Sequence, residues 1–252
     1  MSKNLLSMVF VICCFNSAFA FNADSLVTAG NTAYVNGDFQ MAAEKWQIVI
    51  DSGYAAAELY FNLGNSYYRM NNFAKAIINY ERALLIDPSN KDINFNLDLA
   101  NAHVVDKIDV IPEFFLKKWI ENAARLTSTN NWAIYSITTF VLFLIFLSIY
   151  LFSSKIFSKK IAFYLSIILL IISITTFTFS SMRKKMIVER NTAIIMSPSV
   201  TVKSSPNEYG TNLFILHEGT KVETVDSVGT WNEIKISNGN KGWIHKSALE
   251  RI

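Results

Sequence analysis

Three histidines and two cysteines are the residues from which a metal centre or a nucleophilic site would be built. His103, His217 and His245 fall in separate segments, with no ligand spacing between them. Cys13 and Cys14 are adjacent near the N-terminus, and no cysteine follows them. The sequence has no glycine-rich phosphate loop, no Gly-x-Ser-x-Gly elbow and no paired carboxylate motif in a recognisable setting. This inventory predicts no enzyme, no catalytic residue, no cofactor and no metal. What remains is binding chemistry. Side-chain amides can both donate to and accept from a peptide backbone. Tyrosine rings give flat contact area at small entropic cost.

Those amides and rings recur at a fixed interval. A shift of 34 residues carries Ala23 onto Ala57, Gly30 onto Gly64, Asn31 onto Asn65 and Tyr34 onto Tyr68. It also carries Phe39 onto Phe73, Ala42 onto Ala76 and the aromatic Trp46 onto Tyr80. A second shift carries Phe61-Asn62-Leu63 onto Phe95-Asn96-Leu97. The period, with Leu63, Gly64, Tyr67, Ala76, Tyr80, Ala83 and Pro88 in the second unit, resembles the tetratricopeptide repeat (TPR). The resemblance implies paired antiparallel helices over 23–56 and 57–90. Gly64 and Ala76 are small where paired helices approach, and Tyr80 and Ala83 are expected to pack toward the next unit. Pro88 stops the second helix. One such unit cannot bury its own apolar face, so residues 91–105 are expected to cap the array.

In this register the first helix of each unit presents Asn31, Tyr34, Asn62, Asn65, Tyr68, Arg69, Asn96 and His103 on one face. The functional reading is a groove for an extended peptide. The plainer reading is solvated helix surface, and both stay open at this stage. Val27 and Phe61 stand where a carboxylate clamp would need lysines, so no preference for C-terminal carboxylates is expected.

The helices must be positioned by what flanks them. Residues 1–20 have Lys3, an apolar run from Leu5 to Phe15 and Ala18-Phe19-Ala20, the layout of a secretory signal peptide. A lipidated cysteine fits less well, because Ile12 and Cys13 are not the small residue expected before it. Residues 106–130 read as an amphipathic linker. Pro112-Glu113 starts a helix in which Phe115, Leu116, Trp119, Ile120 and Ala123 form one stripe, suited to a membrane surface or to the end of the array.

Trp132 to Phe152 and Ile161 to Ser180 carry no charge. Each is near the roughly 20 residues that cross a bilayer core, which predicts spans over 131–153 and 161–181. No ionisable carboxylate, lysine or histidine lies within them, which argues against an ion path. A signal peptide and two spans would place both ends outside the cytoplasm. Lysines in the connecting loop and Arg183-Lys184-Lys185 beyond the second span leave charge bias undecided.

Short apolar alternations follow. Glu218-Gly219-Thr220-Lys221-Val222, Trp231, Asn238-Gly239 and Gly242-Trp243-Ile244 resemble a bacterial SH3 (SH3b) domain over 187–252. The resemblance implies an all-β small barrel. Tyr209, Phe214, Trp231 and Trp243 could line a ligand groove there, although the strand positions of the two tryptophans favour a place in the core. The whole is a multi-domain chain: an all-α TPR array, a two-helix transmembrane hairpin and an SH3b-type barrel.

Charge is nearly balanced at +3 and interleaved, with no basic tract of the kind that grips nucleic acid. The order of these modules, with Asp106-Lys107-Ile108 and Ile111-Pro112-Glu113-Phe114-Phe115 between array and spans, resembles the BatE family of the Bacteroides aerotolerance operon. That resemblance implies an inner-membrane scaffold acting with von Willebrand A-domain membrane proteins and a MoxR-type ATPase system. A peptidoglycan-binding anchor acting through the SH3b domain is the alternative.

Overall fold

A computed structural model describes residues 23–109, 115–189 and 191–252. The expected signal peptide, Cys13, Cys14 and the Ile111–Phe114 motif with its Pro112-Glu113 helix start lie outside these residues. The described chain divides after Tyr54 into two compact units.

The first unit is a helical pair, α1 (Ala23–Val35) and α2 (Phe39–Asp51). Asp38 caps α2 by accepting from Met41 N–H at 2.9 Å. The Trp46 ring lies against Gly30, where a Cβ would meet the indole at 2.5 Å.

The second unit repeats this design. Helices α3 (Ala57–Arg69) and α4 (Phe73–Ile86) are joined by a turn in which Asn71 has φ +58°, at the place Gly37 (φ +83°) holds in the first pair. Asn72 caps α4 by accepting from Lys75 N–H at 3.1 Å, as Asp38 caps α2. Gly64 is needed for close approach. A Cβ there would stand 2.6 Å from the Tyr80 ring, and that ring is only 1% exposed, so it has nowhere to move. Tyr80 therefore packs on its own unit rather than only toward the next. Helix α5 (Lys91–Ala102) follows, capped by Asn90, and buries Ile93, Leu97 and Ala100 against α4.

Two long apolar helices come next, after the short α6 (Phe115–Ala124). Helix α7 (Thr129–Phe152, 24 residues) and helix α8 (Ile156–Glu189, 34 residues) are long and apolar enough to cross a membrane. Their large side chains, among them Phe140, Leu144, Ile168, Ile171 and Phe177, point outward. Ser136, Ala162, Ser166, Ser173 and Thr176 are buried at or near the contact instead. Small residues let the two helix backbones come close. Ser136 Oγ donates to Ser173 O and Ser173 Oγ donates to Ser136 O, each at 3.1 Å. These two hydroxyls cross between helices, while Thr139, Ser148, Thr175 and Thr178 bond back along their own.

The C-terminal region is a seven-stranded antiparallel sheet: β1 (Thr192–Ile195), β2 (Ser199–Lys203), β3 (Asn212–His217), β4 (Lys221–Val228), β5 (Trp231–Lys235), β6 (Lys241–His245) and β7 (Leu249–Arg251). Its order is β3-β2-β6-β5-β4-β1-β7. The expected small barrel is not closed. β3 pairs only with β2, and the three-residue β7 pairs only with β1, so the sheet keeps two edges. Helices occupy ground a closed barrel would not share. Strand β1 is buried on both faces. Ala193 and Ile195 join the inner core of the sheet with Val202, Leu216, Val222, Ile234 and Ile244. Ile194, with Ile252, joins the core of α4 and α5.

The second helical pair and the sheet thus form one packed body. Gly219 (φ +85°) lets the β3–β4 turn touch the helices, since a Cβ there would lie 2.9 Å from Val104 and 3.3 Å from Ile77. Arg82 pairs with Glu250 at 2.8 Å and donates to Arg251 O at 2.7 Å. Glu81 pairs with Lys221 at 2.7 Å. Residues 104–109 belong to this interface: Val104 enters the helical core and Ile108 packs on the sheet core. Of the stretch expected as one linker helix, only α6 and the start of α7 are helical among the described residues.

Candidate functional site

The face that the repeat register singles out lies on α3 and α5. Asn62, Asn65, Tyr68 and Arg69 recur at helical spacing on α3, and Asn96 and His103 stand on or just after α5. At its centre the Asn65 side-chain oxygen accepts from the Tyr80 hydroxyl at 2.8 Å and from Asn96 Nδ2 at 2.9 Å. One carboxamide oxygen thereby ties α3, α4 and α5 together. Its orientation is fixed by those two donors. The Asn65 Nδ2 and Asn96 Oδ1 atoms then have no hydrogen-bond partner among the described residues. A donor and an acceptor side by side match the complementary groups of an extended backbone.

Aromatic rings flank the amides. Phe61 tilts over Tyr80 at 5.9 Å, and Tyr68 meets Phe73 edge-on at 5.6 Å. The His103 imidazole stacks on Phe73 at 3.9 Å and meets Tyr68 at 6.1 Å. His103 therefore serves as part of an aromatic wall. Phe95 is 64% exposed on the same helix as Asn96. Asn62 is half-buried and Arg69 exposed. Asn31 and Tyr34 belong to the first unit. There Asn31 is exposed, and Tyr34 packs edge-on to Phe39 at 5.2 Å and tilted to Trp46 at 5.9 Å.

The aromatic set of the sheet separates. Tyr209 is 99% exposed in the β2–β3 connection. Phe214 packs on the inner core, opposite Val202. Trp231 and Trp243 are half-buried on the outer face, not in the core as their strand positions suggested. Ile234 and Ile244 take the inner face, and alternation turns residues 231 and 243 away from it. Asn232 is buried in place of Trp231. Trp231 and His245 are cross-strand partners with rings 5.9 Å apart, and Trp243 lies beside Glu233 and Lys203.

Asp106 forms a polar clasp that the sequence did not single out. Its carboxylate accepts the His217 backbone N–H at 2.7 Å and the Thr220 hydroxyl at 2.6 Å, and lies 2.8 Å from His217 Nδ1. Burial pushes the carboxyl up. The hydrogen bonds from Thr220 and His217 outweigh it and hold the group below its ordinary value. Among the described residues no group of His, Cys, Asp and Glu side chains gathers as a metal site.

Comparison with known proteins agrees with the geometry of the second helical pair. Residues 57–90 match the tetratricopeptide repeat family model. A stretch of 67 residues, 27% of the chain, is 31% identical to the Protein SGT1 homolog of Oryza sativa subsp. japonica. The match spans 18% of that protein's length. The helical pair α3–α4 is a tetratricopeptide repeat.

Proposed function

We propose that this chain is a membrane-anchored scaffold, not an enzyme, that captures a protein partner on the amide and aromatic face of α3 and α5. The observation that carries the reading is the fixed Asn65–Asn96 pair, which leaves the Asn65 donor and the Asn96 acceptor without a partner among the described residues. Helices α7 and α8 are the anchor. Two crossings, together with the signal peptide read in residues 1–20, support a periplasmic location of the repeat and the sheet at the inner membrane. The shared core of repeat and sheet fits two crossings, because both then lie on one side. The resemblance to the BatE family supports a Bat-type aerotolerance complex, with von Willebrand A-domain membrane proteins as partners.

A second reading has one observation in its favour. Trp231 and Trp243 face outward on an SH3b-like sheet, where an aromatic surface could grip peptidoglycan. The two readings separate on full-length protein. Asn62→Ala with Tyr68→Ala should abolish co-purification of the membrane partner and leave sedimentation with purified sacculi unchanged. Trp231→Ala with Trp243→Ala should do the reverse only if the sheet is the binding module. Truncation is unsuited to this test, because removing the sheet uncovers Ile77 and Val104.

A further inference from the structure

Above the two apolar helices lies a cleft of about 900 Å³, bounded by the end of α4, by α6, by the last turns of α8 and by β1 and β4. Among the described residues, eight charged side chains line it. Most are already paired. Glu81 holds Lys221 at 2.7 Å, Glu189 holds Lys185 at 3.6 Å, and Glu223 holds Lys235 at 2.9 Å. Glu121 also has a partner of its own. Arg125 and Arg183 remain, with no ion pair among the described residues.

Arg183 is the informative one, because it is only 3% exposed. Its Nη2 donates to Leu85 O at 3.1 Å, and Nη1 reaches only the Met186 sulfur at 3.8 Å. Its Nε–H has no partner among the described residues. A buried guanidinium without a counter-charge is costly, and an unused donor beside it adds to that cost. Such a group is satisfied when an oxyanion enters the cleft, since guanidinium matches phosphate with parallel N–H donors.

Position narrows the anion. Ser180 Oγ donates to Thr129 O at 3.2 Å, which ties the end of the uncharged part of α8 to the start of α7. Arg183 follows three residues after that tie, and Arg125 precedes α7 by four. If α7 and α8 cross a membrane, as proposed above, both guanidiniums stand at headgroup level.

We propose that this cleft holds the phosphate of an anionic phospholipid on Arg183, with Arg125 at its mouth. The test uses full-length protein in a neutral detergent, titrated at matched concentrations with phosphatidylglycerol, phosphatidylcholine or inorganic phosphate, with melting temperature as readout. Phosphatidylglycerol should raise the melting temperature and the other two should not. Arg125→Gln should raise the phosphatidylglycerol concentration needed for that response by about tenfold or more, the weight of one charge-assisted hydrogen bond, and Arg183→Gln should remove the response. Arg125 is exposed, so its variant carries the test if Arg183→Gln does not fold. Equal effects of the two lipids, or an unchanged response in Arg125→Gln, would overturn the site. Equal stabilisation by inorganic phosphate would overturn the lipid assignment and give the cleft to a soluble anion. The membrane reading fails separately, if the chain is extracted from membranes by alkaline carbonate.

Discussion

Asp106 and His217 stand 111 residues apart in sequence and are joined twice, through the backbone N–H at 2.7 Å and the ring Nδ1 at 2.8 Å. With Thr220 they fasten the segment after α5 to the end of β3. Asp106→Ala should cost about 1.5–3 kcal/mol, the range for hydrogen bonds to a charged group. Chemical denaturation of the full chain measures it. The pH dependence has a fixed sign. The folded-state value lies below the ordinary 3.8, so the unfolded chain binds the proton first and stability rises with pH through that window. The contribution is whole above about pH 4 and is lost as pH falls through the lowered value. Asp106→Asn should flatten that part of the stability curve, and an unchanged acid limb would contradict the role.

Gly64→Ala should destabilise the repeat. Its Cβ would lie 2.6 Å from Tyr80, and that ring is held by the bond to Asn65. Overpacking of this kind costs about 1–3 kcal/mol. Thermal melts followed by far-ultraviolet circular dichroism should show the loss. An unchanged melt would mean that the Tyr80 ring can move.

Asn62 and Asn65 should behave differently. Asn65→Ala removes the acceptor shared by Tyr80 and Asn96, so it should lower the melting temperature as well as partner capture. The Asn62 side chain has no hydrogen bond among the described residues, so Asn62→Ala should affect capture alone. A melting shift of equal size in both variants would remove the distinction.

The reciprocal Ser136–Ser173 bonds should steady the apolar hairpin. Replacing both with alanine should cost about 0.6–2 kcal/mol if α7 and α8 cross a membrane as proposed, since such bonds there are worth little more than in water. A double-mutant cycle in mixed micelles gives the coupling. Zero coupling would reduce the pair to close packing.

The repeat was legible because its spacing encodes size. Gly30 against Trp46 and Gly64 against Tyr80 are pairs a fixed distance apart, and the turn at Asn71 copies the one at Gly37. The apolar hairpin was legible from its length and lack of charge. The outward tryptophans were also within reach. Ile234 and Ile244 fix the inner parity of β5 and β6, which turns Trp231 and Trp243 out, whereas a strand position alone had favoured the core for both rings. The docking of sheet on helices left no local trace. Asp106, Arg82 and Glu81 meet His217, Glu250 and Lys221 across gaps of 111, 168 and 140 residues, and nothing in the spacing announces such pairs. The Arg183 site was hidden for the same reason, since its environment comes from four distant segments. Within the candidate face, the sequence located Asn65 but not its use. Only the fold shows that its oxygen is engaged while its nitrogen has no partner among the described residues.

Site-specific photocrosslinking of the full chain in native membranes decides whether the α3–α5 face takes up a protein partner. A photoreactive residue in place of Asn62 should give a discrete adduct that disappears with Tyr68→Ala. The same residue in place of the exposed Lys75 on α4 should give none. Equal adducts at both positions, or none at position 62 in a chain that melts like the unmodified protein, would contradict the account.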